Sequence, residues 1–366
     1  MIPGTHIMRI QHTTVYKVPG RYAGWPANYG IWNWGDEIVT GFTLGYHDTS
    51  GGFHARDRDQ PIVTFQSRSV DGGETWSNVQ APLLAPGGEG ISADEHLNNP
   101  KGPVAGRINP PILHPGDTDF THPDFAMLCA RTGLVTGAES WFYTSTDRCQ
   151  SWNGPFMLPM FGELGVAART DYLIDASQAA TLLLSSTKPD GEEGRVFCAQ
   201  TEDGGRSFKF VSWLREEPQG FDIMPASLRL DGGGILTALR TRGAEGDTDA
   251  IDLMRSDDNG QTWRQISTPA SDTGTGGNPP AMIQLSDGRI CLTYGYRDAP
   301  SGMRAVLSED DGESWGAEVV LRDDGGSHDI GYPRSVQRSD GNVVTVYYYT
   351  DSPDGERYIA ATIWKP

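Results

Sequence analysis

Ser69-Val70-Asp71-Gly72-Gly73-Glu74-Thr75-Trp76 is the stretch that decides the fold, because its pattern Ser-x-Asp-x-Gly-x-Thr-Trp returns four more times with small changes. The other copies occupy residues 145–152, 201–208, 256–263 and 308–315. Each copy suits the turn of a β-hairpin, since the aspartate can accept backbone N–H groups across the turn and a glycine takes the left-handed residue. The final aromatic residue is expected to pack beneath the loop. Five such hairpins predict five similar sheets.

This motif resembles the Asp box of the sialidase-like β-propellers, and the resemblance extends over nearly the whole chain. It implies a single propeller domain over residues 1–366, in place of the two or three domains that length alone would suggest. In that family the boxes lie on the outer rim, away from the active site. The motif therefore indicates a fold and not a function.

A second, weaker repeat gives the number of blades. It consists of a short strand, a turn and an apolar strand, and in its clearest copies the apolar strand resumes ten positions after a proline. Three clear and three looser copies begin at Pro225, Pro280, Pro333, Pro26, Pro111 and Asp171. Six copies predict an all-β, six-bladed β-propeller.

The two ends of the chain are expected to share one blade. His6 to Val18 alternates polar and apolar residues, as a strand does, but has no local partner. Residues 332–336, 342–350 and 357–364 are predicted to form three strands with no Asp box between them. Three strands and one complete a four-stranded blade, so the N-terminal strand is predicted to close the ring.

Composition limits the possible partners. The formal net charge of −19 argues against nucleic acid and against an anionic membrane surface. It does not exclude an anionic substrate, because a few arginines in a pocket outweigh net charge at contact distance. The four cysteines have no metal-ligand spacing, so free buried thiols are expected and neither a metal nor a cofactor is. The sequence indicates no particular oligomeric state.

The beginning of the chain and its hydropathy bear on location. Met-Ile-Pro-Gly-Thr-His-Ile-Met has no basic region followed by an apolar run, and no segment reaches the roughly 18 apolar residues of a membrane span. A soluble, cytoplasmic protein is expected, or a periplasmic or secreted one if a signal peptide has been removed.

The propeller geometry selects the candidate site residues. The first strand of each blade lines the central channel, so residues just before the six repeat starts crowd around one mouth. Two long insertions, 45–59 and 81–121, are predicted to fold over that mouth. The candidates are Gly24 and Trp25, Arg107 and Asn109, Arg169 and Asp171, Asp222 and Met224, Gly277 and Asn278, and Gly331 and Tyr332.

Tyr332 is the nucleophile that the resemblance implies. Gly331-Tyr332-Pro333, followed by Ser339-Asp340-Gly341, stands where the family has its Gly-Tyr-Ser and Asp-Gly. A phenol suits a sialic acid, since the carboxylate on the anomeric carbon would repel an aspartate or glutamate. A free tyrosine titrates near pH ~10, so this phenol needs a base or cations beside it.

The acid/base is an aspartate in the family, on a blade-one loop a dozen or so residues before the first Asp-box aspartate. Counting back from Asp71 reaches Asp57-Arg58-Asp59. Asp59 is preferred, and Asp57 or His54 are alternatives. Two further histidines, His122 and His328, lie near blade entries as acid/base candidates, and His328 could accept the phenol proton.

Sialidases bind the substrate carboxylate with three arginines, which keep their charge at any pH. Here Gly24 stands at the first position, Arg240 at the second, and Gly277-Asn278-Pro279 at the third. The glutamate that pairs with these groups falls in Tyr347-Tyr348-Tyr349. Arg334 is the strongest replacement, because strand alternation predicts that it shares a face with Tyr332. The other candidates are Arg107, Arg169 and Arg242.

The leading functional hypothesis is an exo-acting glycosidase, similar to the sialidases, that releases a terminal acidic sugar through a tyrosyl intermediate. A second hypothesis is a divergent hydrolase or polysaccharide lyase acting on glycans that contain uronic acid. A third is a glycan-binding propeller without catalysis. Trp25, Trp32 and Trp34 would suit sugar stacking in any of the three.

Overall fold

The computed structural model describes residues 10–83, 112–244 and 246–366. Over these residues the protein consists of 25 strands in six sheets and one short 3₁₀ turn, Pro26–Asn28. The sheets are the blades of a propeller, so the predicted all-β, six-bladed architecture is confirmed.

Blades one to three hold the first part of the chain. Blade one has the order β2-β4-β5-β6, with β3 also on β4; blade two is β7-β8-β9; and blade three is β10-β12-β13-β14, with β11 also on β12. These strands are β2 (Arg21–Gly24), β3 (Ile31–Trp34), β4 (Glu37–Tyr46), β5 (Val63–Ser69), β6 (Ser77–Gln80), β7 (Ala126–Arg131), β8 (Ser140–Ser145), β9 (Asn153–Met157), β10 (Val166–Ala167), β11 (Tyr172–Ala176), β12 (Ala179–Thr187), β13 (Glu193–Thr201) and β14 (Lys209–Trp213).

Blades four to six are regular four-stranded sheets. Blades four and five run β15-β16-β17-β18 and β19-β20-β21-β22, and blade six runs β23-β24-β25-β1. Their strands are β15 (Phe221–Arg229), β16 (Ile235–Arg242), β17 (Ala250–Ser256), β18 (Arg264–Ala270), β19 (Ala281–Gln284), β20 (Ile290–Tyr296), β21 (Gly302–Ser308), β22 (Val319–Arg322), β23 (Gly331–Gln337), β24 (Val343–Tyr349), β25 (Tyr358–Trp364) and β1 (Ile10–Tyr16).

The N-terminal strand closes the ring, as predicted. β1 pairs antiparallel with β25, from Ile10 opposite Trp364 to Thr14 opposite Ala360. The hydroxyl of Thr13 donates to the backbone oxygen of Gly73 in blade one at 3.0 Å, which ties the closing blade to its neighbour. The N-terminal strand thus becomes the outer strand of blade six and covers the edge that β25 would otherwise expose.

One blade start was placed wrongly. Pro111 lies outside the described residues, but Ile112 beside it forms a parallel bridge with Phe156 of β9, the outermost strand of blade two. The ring of His114 packs against Phe142 and Phe156, at 4.3 Å from the latter, and anchors the segment on the outside of the blade. An apolar run read as an inner strand is therefore held at the rim by aromatic packing.

The core is a ring of apolar clusters, one between each pair of neighbouring blades. Blades six and one share Tyr22, Phe42 and Val344, for example, and blades three and four share Leu183 and Leu239. Corresponding clusters join the other four pairs. Each fully buried large apolar side chain contributes about 1.5–3 kcal/mol, so the closed ring needs no covalent staple. The four cysteines are buried and free, as expected.

In blades one to five, the Asp box connects the last two strands in the order of the sheet, such as β5 and β6 in blade one and β8 and β9 in blade two. In the first box, both the amide and the hydroxyl of Thr75 donate to the Asp71 carboxylate, and these bonds lower its pKa to about 2. The glycines serve packing as well as turning. Gly260 has φ +83°, and a Cβ there would lie 2.7 Å from the sulfur of Cys198 in the preceding blade. Each box thus holds its own hairpin and leans on the blade before it.

Candidate functional site

Three strained residues lie on or directly after the inner strands of blades one, four and six. Trp25, Met224 and Tyr332 have φ of +60°, +54° and +51°, and each directly precedes a proline. A proline disfavours the right-handed helical conformation in the residue before it, and a left-handed non-glycine costs about 1–2 kcal/mol. Met224 and Tyr332 also interrupt the strand register as β-bulges. They meet Ala27 in one apolar cluster, although these residues come from blades four, six and one, so the cluster lies on the channel axis.

Asn278 fixes the backbone at Tyr332. Its buried side-chain oxygen accepts the N–H of Tyr332 at 2.9 Å, and its amide donates to the carbonyl of Ile330 at 2.9 Å. Gly331 between them has φ +102°, and a Cβ there would clash with the Asn278 carboxamide. Asn278, a sequence candidate for substrate binding, is thus placed to position the tyrosine.

The phenol oxygen of Tyr332 meets Arg240. Arg240 Nη1 donates to it at 3.2 Å, and Nη2 donates to the backbone oxygen of Gly276. Met224 Sδ lies 3.8 Å from the same Nη1. Because a guanidinium has no acceptor, the phenol oxygen must act as the acceptor in this bond. Among the residues described, no group accepts the phenol's own proton.

Sequence reasoning missed Arg297, the second cation at this site. It is buried, its guanidinium carbon lies 5.6 Å from the centre of the Tyr332 ring, and its Nη2 donates to the Tyr348 hydroxyl at 3.1 Å. A signal existed: Arg297 directly follows β20, as Arg242 ends β16 in the preceding blade. Comparing equivalent positions in neighbouring blades, rather than searching for the family's motifs, would have found Arg297.

The two arginines change the acidity of the phenol. Burial alone would raise the pKa of Tyr332, but the positive charges of Arg240, Arg297 and Arg169 outweigh it, so the pKa falls below its usual value. In the same way, burial and the Asp329 carboxylate raise the pKa of Tyr348 well above the usual range. Two neighbouring phenols are therefore driven in opposite directions, and Tyr332 is the more readily ionised.

Arg240 and Arg297 differ from the other arginines at this end of the channel. Neither forms an ion pair with a carboxylate among the described residues, whereas four others do. Those pairs are Arg169 with Glu193, Arg215 with Asp222, Arg242 with Asp249, and Arg357 with Asp329. The mouth around Tyr332 thus holds two guanidinium groups without a direct carboxylate partner, and Asp249 and Asp329 act on them only at longer range, in a protein whose net charge is −19.

The blade-one insertion reaches this mouth, as predicted, and it brings aromatic rings. Phe53 lies against the guanidinium of Arg297 at 5.3 Å and against the ring of His328 at 4.5 Å. His54 packs edge-on to Trp25 at 5.0 Å, and its Nδ1 lies 2.6 Å from Asp329 Oδ1. Trp25, which is only 8% exposed, therefore supports His54. Of the other insertion, residues 84–111, including the candidates Arg107 and Asn109, lie outside the described part of the chain.

Asp329 is the most constrained carboxylate of the site. It is fully buried and accepts hydrogen bonds from His54, from the Tyr348 hydroxyl at 2.7 Å and from Arg357 Nε at 3.0 Å. Burial opposes ionisation, but these bonds and charges hold the pKa of Asp329 well below its usual range. The carboxylate is therefore a fixed anion.

The predicted acid/base residues lie farther from the phenol. The Asp57 carboxylate accepts the backbone N–H of Asp59 at 2.9 Å, and neither side chain is a hydrogen-bond partner of Tyr332. Asp59 and His328 are exposed at the surface of the loops. The structure thus brings Tyr332 and Arg240 together but does not place Asp57, Asp59 or His328 on the phenol.

Arg334 does not share a site with Tyr332, and the alternation argument for it was wrong. The register of β23 shifts between Gly331 and Arg334, so the bulge at Tyr332 breaks the two-residue period. The Arg334 guanidinium instead donates to the backbone oxygens of Ala27 and Thr170, both at 2.6 Å. It links blades six, one and three across the channel.

Two further candidates serve internal ion pairs. Arg169 is held by Glu193 through both of its terminal nitrogens, and its Nε donates to Asn28 Oδ1 at 3.2 Å. Asp222 accepts the hydroxyl of Thr241 at 2.7 Å and pairs with Arg215 at 2.8 Å. Their charges are compensated within the protein. Trp32 and Trp34 pack toward blade two and away from this mouth.

Within the described residues, no cluster of three or more histidine, cysteine, aspartate or glutamate side chains is arranged to hold a metal ion. A search of the same residues finds no helix with the length and hydrophobicity of a membrane span.

A family model described as a BNR repeat-like domain matches residues 125–345. The chain belongs to this family, and the resemblance to sialidase-like propellers is confirmed. A comparison with curated proteins finds no match.

Solved structures share the fold at low sequence identity. A protein of unknown function from Dyadobacter fermentans is 21% identical with a TM-score of 0.71, over 97% of this chain and 99% of that one. The NanB sialidase from Streptococcus pneumoniae is 15% identical with a TM-score of 0.62, over 96% and 70%. An α-L-arabinofuranosidase from Fusarium graminearum is 13% identical with a TM-score of 0.59, over 97% of each chain. These likenesses establish the fold.

Proposed function

We propose that this BNR-repeat propeller is an exo-acting glycoside hydrolase that removes a terminal acidic sugar, with Tyr332 as its nucleophile. One observation carries the proposal: the half-buried phenol at the channel mouth is held by Arg240, a partner that only donates hydrogen bonds. An oxygen held in this way has its lone pairs stabilised and its proton available for removal, which is the state that a nucleophile requires.

The charge around Tyr332 supports an acidic substrate. Arg240 and Arg297 have no carboxylate partner among the described residues, and a buried cation without one is costly. A substrate carboxylate would compensate this charge through bonds of the kind that guanidinium groups form well. Arg240, which is half-buried, can present its charge to the opening, whereas the buried Arg297 acts on the phenol through its field.

A phenolate is also suited to this substrate class. A carboxylate on or near the anomeric carbon repels an approaching aspartate or glutamate more than it repels a less concentrated negative charge. The blade-one insertion would supply the proton for the leaving group, since it covers the mouth and carries His54, Asp57 and Asp59. The fold neighbours support a glycosidase in general terms, because two of them are a sialidase and an arabinofuranosidase.

A second candidate is a polysaccharide lyase. No carboxylate contacts the phenol of Tyr332 in the described structure, and Met224 occupies the space beside Arg240. A lyase would use the tyrosine as a base on the carbon beside a uronate carboxylate, with the arginines neutralising that carboxylate. This arrangement needs the same cations but no attack on the anomeric carbon.

The experiment is a panel of fluorogenic α-sialosides and β-uronides, together with uronate polysaccharides followed by the absorbance of the unsaturated product. We expect release of the fluorophore from an acidic glycoside by the wild type and none by Tyr332→Phe. Tyr46→Phe is the matched control, because Tyr46 is an exposed tyrosine at the end of β4. A response in the lyase arm alone would replace the hydrolase proposal, and binding without turnover in every arm would indicate a glycan-binding propeller.

A further inference from the structure

We infer that His54 is the general acid/base that works with Tyr332, and that Asp329 is its positioning residue. The inference rests on the proposed glycosidase function and assigns the proton-transfer step of that same site. It starts from the one histidine among the described residues that is paired with a fully buried carboxylate.

The geometry at His54 leaves one ring nitrogen for the substrate. Nδ1 lies 2.6 Å from Asp329 Oδ1, so it carries a proton and donates it to that bond. Nε2 has no hydrogen-bond partner in the part of the chain that the structure describes, and the side chain is 20% exposed. Nε2 is therefore the atom that can give a proton to a bound glycoside or take one from water.

The partner of His54 cannot move away. Asp329 is bonded at one oxygen by Tyr348 as well as His54, and at the other by Arg357, and the backbone N–H of Ala55 lies 3.4 Å from that second oxygen. A carboxylate with both oxygens held fixes the imidazole in one tautomer and one orientation. Asp329 thereby holds His54, a loop residue, in a fixed position.

A short chain of contacts connects His54 to the nucleophile. The ring of Tyr348 lies 5.8 Å from that of Tyr332, and the hydroxyl of Tyr348 bonds to Asp329, which holds His54. Trp25, which packs on His54, belongs to the same apolar cluster as Tyr332. The two functional groups thus border one opening.

The two aspartates on the same insertion differ from His54 in their surroundings. Asp57 bonds within its own loop, and Asp59 is exposed. His54, three residues before Asp57, is held at the channel mouth by Asp329 and Trp25. An imidazole can both donate and accept a proton in a reversible transfer, which suits a group that must act as acid and then as base.

The proposed reaction has two steps. The Tyr332 phenolate attacks the anomeric carbon, the bond to the leaving oxygen breaks with its electron pair on that oxygen, and His54 Nε2 of the imidazolium supplies the proton that completes the alcohol. Water then attacks the anomeric carbon and gives a proton to the neutral Nε2, and the bond to Tyr332 breaks with its electron pair on the phenolate oxygen. The sum is glycoside plus water giving sugar plus alcohol, and both side chains return to their starting states.

Protonation of His54 is required for the first step, so its loss gives activity an alkaline limb. Several charged or titratable groups surround the His54–Asp329 pair and set the position of that limb. They are Arg357, Tyr348, Tyr22, Arg56, Arg297 and His328.

The test compares His54→Gln with wild type on two acidic glycosides of the same sugar, one with a nitrophenol leaving group and one with a simple alcohol. A nitrophenolate leaves without a proton, so we expect less than about a 10-fold loss of kcat/KM with it, and a loss of about 10²- to 10⁴-fold with the alcohol. The alkaline limb with the alcohol substrate should vanish. His47→Gln is the matched control, because His47 lies in the same insertion and bonds the Asp354 carbonyl through Nε2.

His54→Asn is a second variant, whose side-chain amide can still donate to Asp329 but which lacks Nε2. A defect that it shares with His54→Gln therefore does not come from loss of the contact that anchors the loop. Equal losses with the two leaving groups, or no loss with either, would overturn the assignment to His54 while leaving Tyr332 as the nucleophile. No hydrolysis of any glycoside by the wild type would overturn the proposed function, and this inference with it.

Discussion

The Asp-box turns at the rim and the mouth of the channel both contain charged side chains and left-handed residues. These features stabilise a turn in the first region and form the candidate site in the second. At the rim, Asp71 is exposed, and its carboxylate accepts hydrogen bonds from its own turn. Its charge therefore stabilises the hairpin. At the mouth, Arg240 and Arg297 face a phenol and have no carboxylate of their own among the described residues. Both regions contain left-handed residues, which are glycines or turn residues at the rim and Trp25, Met224 and Tyr332 at the mouth.

The difference separates what specifies the fold from what carries chemistry. A motif that satisfies itself can be repeated five times, because each copy stabilises its own hairpin and the adjoining blade. A site needs groups that stay unsatisfied until a substrate arrives, and such groups are tolerated only where the surrounding structure holds them. The comparison predicts that substituting the groups around the phenol of Tyr332 changes activity, that substituting the buried anion Asp329 also lowers stability, and that substitutions at the rim lower stability alone.

The largest expected effect is at Tyr332. Tyr332→Phe removes the attacking oxygen and should lower kcat on the order of 10⁴-fold or more, with little change in KM, because the nucleophile acts on the reaction step. Steady-state kinetics on the best acidic glycoside measure this, with Tyr46→Phe expected to behave as wild type. Full activity in Tyr332→Phe would show that Tyr332 is not the nucleophile.

The second prediction concerns the contribution of Asp329, at the mouth, to the free energy of unfolding. Asp329→Asn leaves Arg357 buried beside a neutral amide and should cost about 3–5 kcal/mol of unfolding free energy at pH 7. The pKa of Asp329 is lowered in the folded protein, so its contribution is present above the unfolded value of about 3.9 and is lost as pH falls below it. Urea denaturation should therefore show the gap to wild type narrowing at pH 3. A gap that stays constant with pH would contradict the fixed-anion account.

Arg240→Met should have a somewhat smaller effect on catalysis than loss of the nucleophile. Removing this cation is expected to lower kcat/KM by about 10²- to 10³-fold, because the phenolate and the substrate carboxylate both lose a donor. It should also raise the pKa of Tyr332, since a positive charge that favours the phenolate is gone. Absorbance titration of the phenolate, compared with that of Tyr332→Phe, measures the shift. Arg255→Met, which removes a rim arginine paired with Asp257, is the control and should change neither quantity.

The smallest effect is expected at the rim. Asp71→Ala, Asp258→Ala and Asp310→Ala each remove the acceptor of one turn and should lower Tm by a few degrees, with kcat/KM unchanged. Thermal melting and kinetics on the same preparations check both halves. A large fall in kcat at unchanged Tm in any of the three would place the boxes at the active site and reverse the comparison.

The sequence predicted the fold well because its signals are local and repeated. The pattern from Ser69 to Trp76 predicted the propeller, the weaker repeat that begins at a proline gave six blades, and the unpartnered strand before Val18 predicted the closure of the ring. The site was accessible only where a single residue carries the signal, as Tyr332 and Arg240 do. Arg334 was misplaced because the bulge before it shifts the strand by one residue, and the pairing of His54 with Asp329 joins residues 275 positions apart. Contacts between residues of different blades produce no periodic pattern in the sequence.

The most direct test of the central claim is to trap the sugar on the protein. A fluorinated acidic glycosyl fluoride slows the second step, and digestion with trypsin releases the peptide 323–334, in which Tyr332 is the only tyrosine. The account predicts that fragmentation mass spectrometry finds the sugar on Tyr332 of this peptide in wild type, and on no residue in Tyr332→Phe. An adduct on another residue, or turnover of acidic glycosides with no adduct at all, would contradict it.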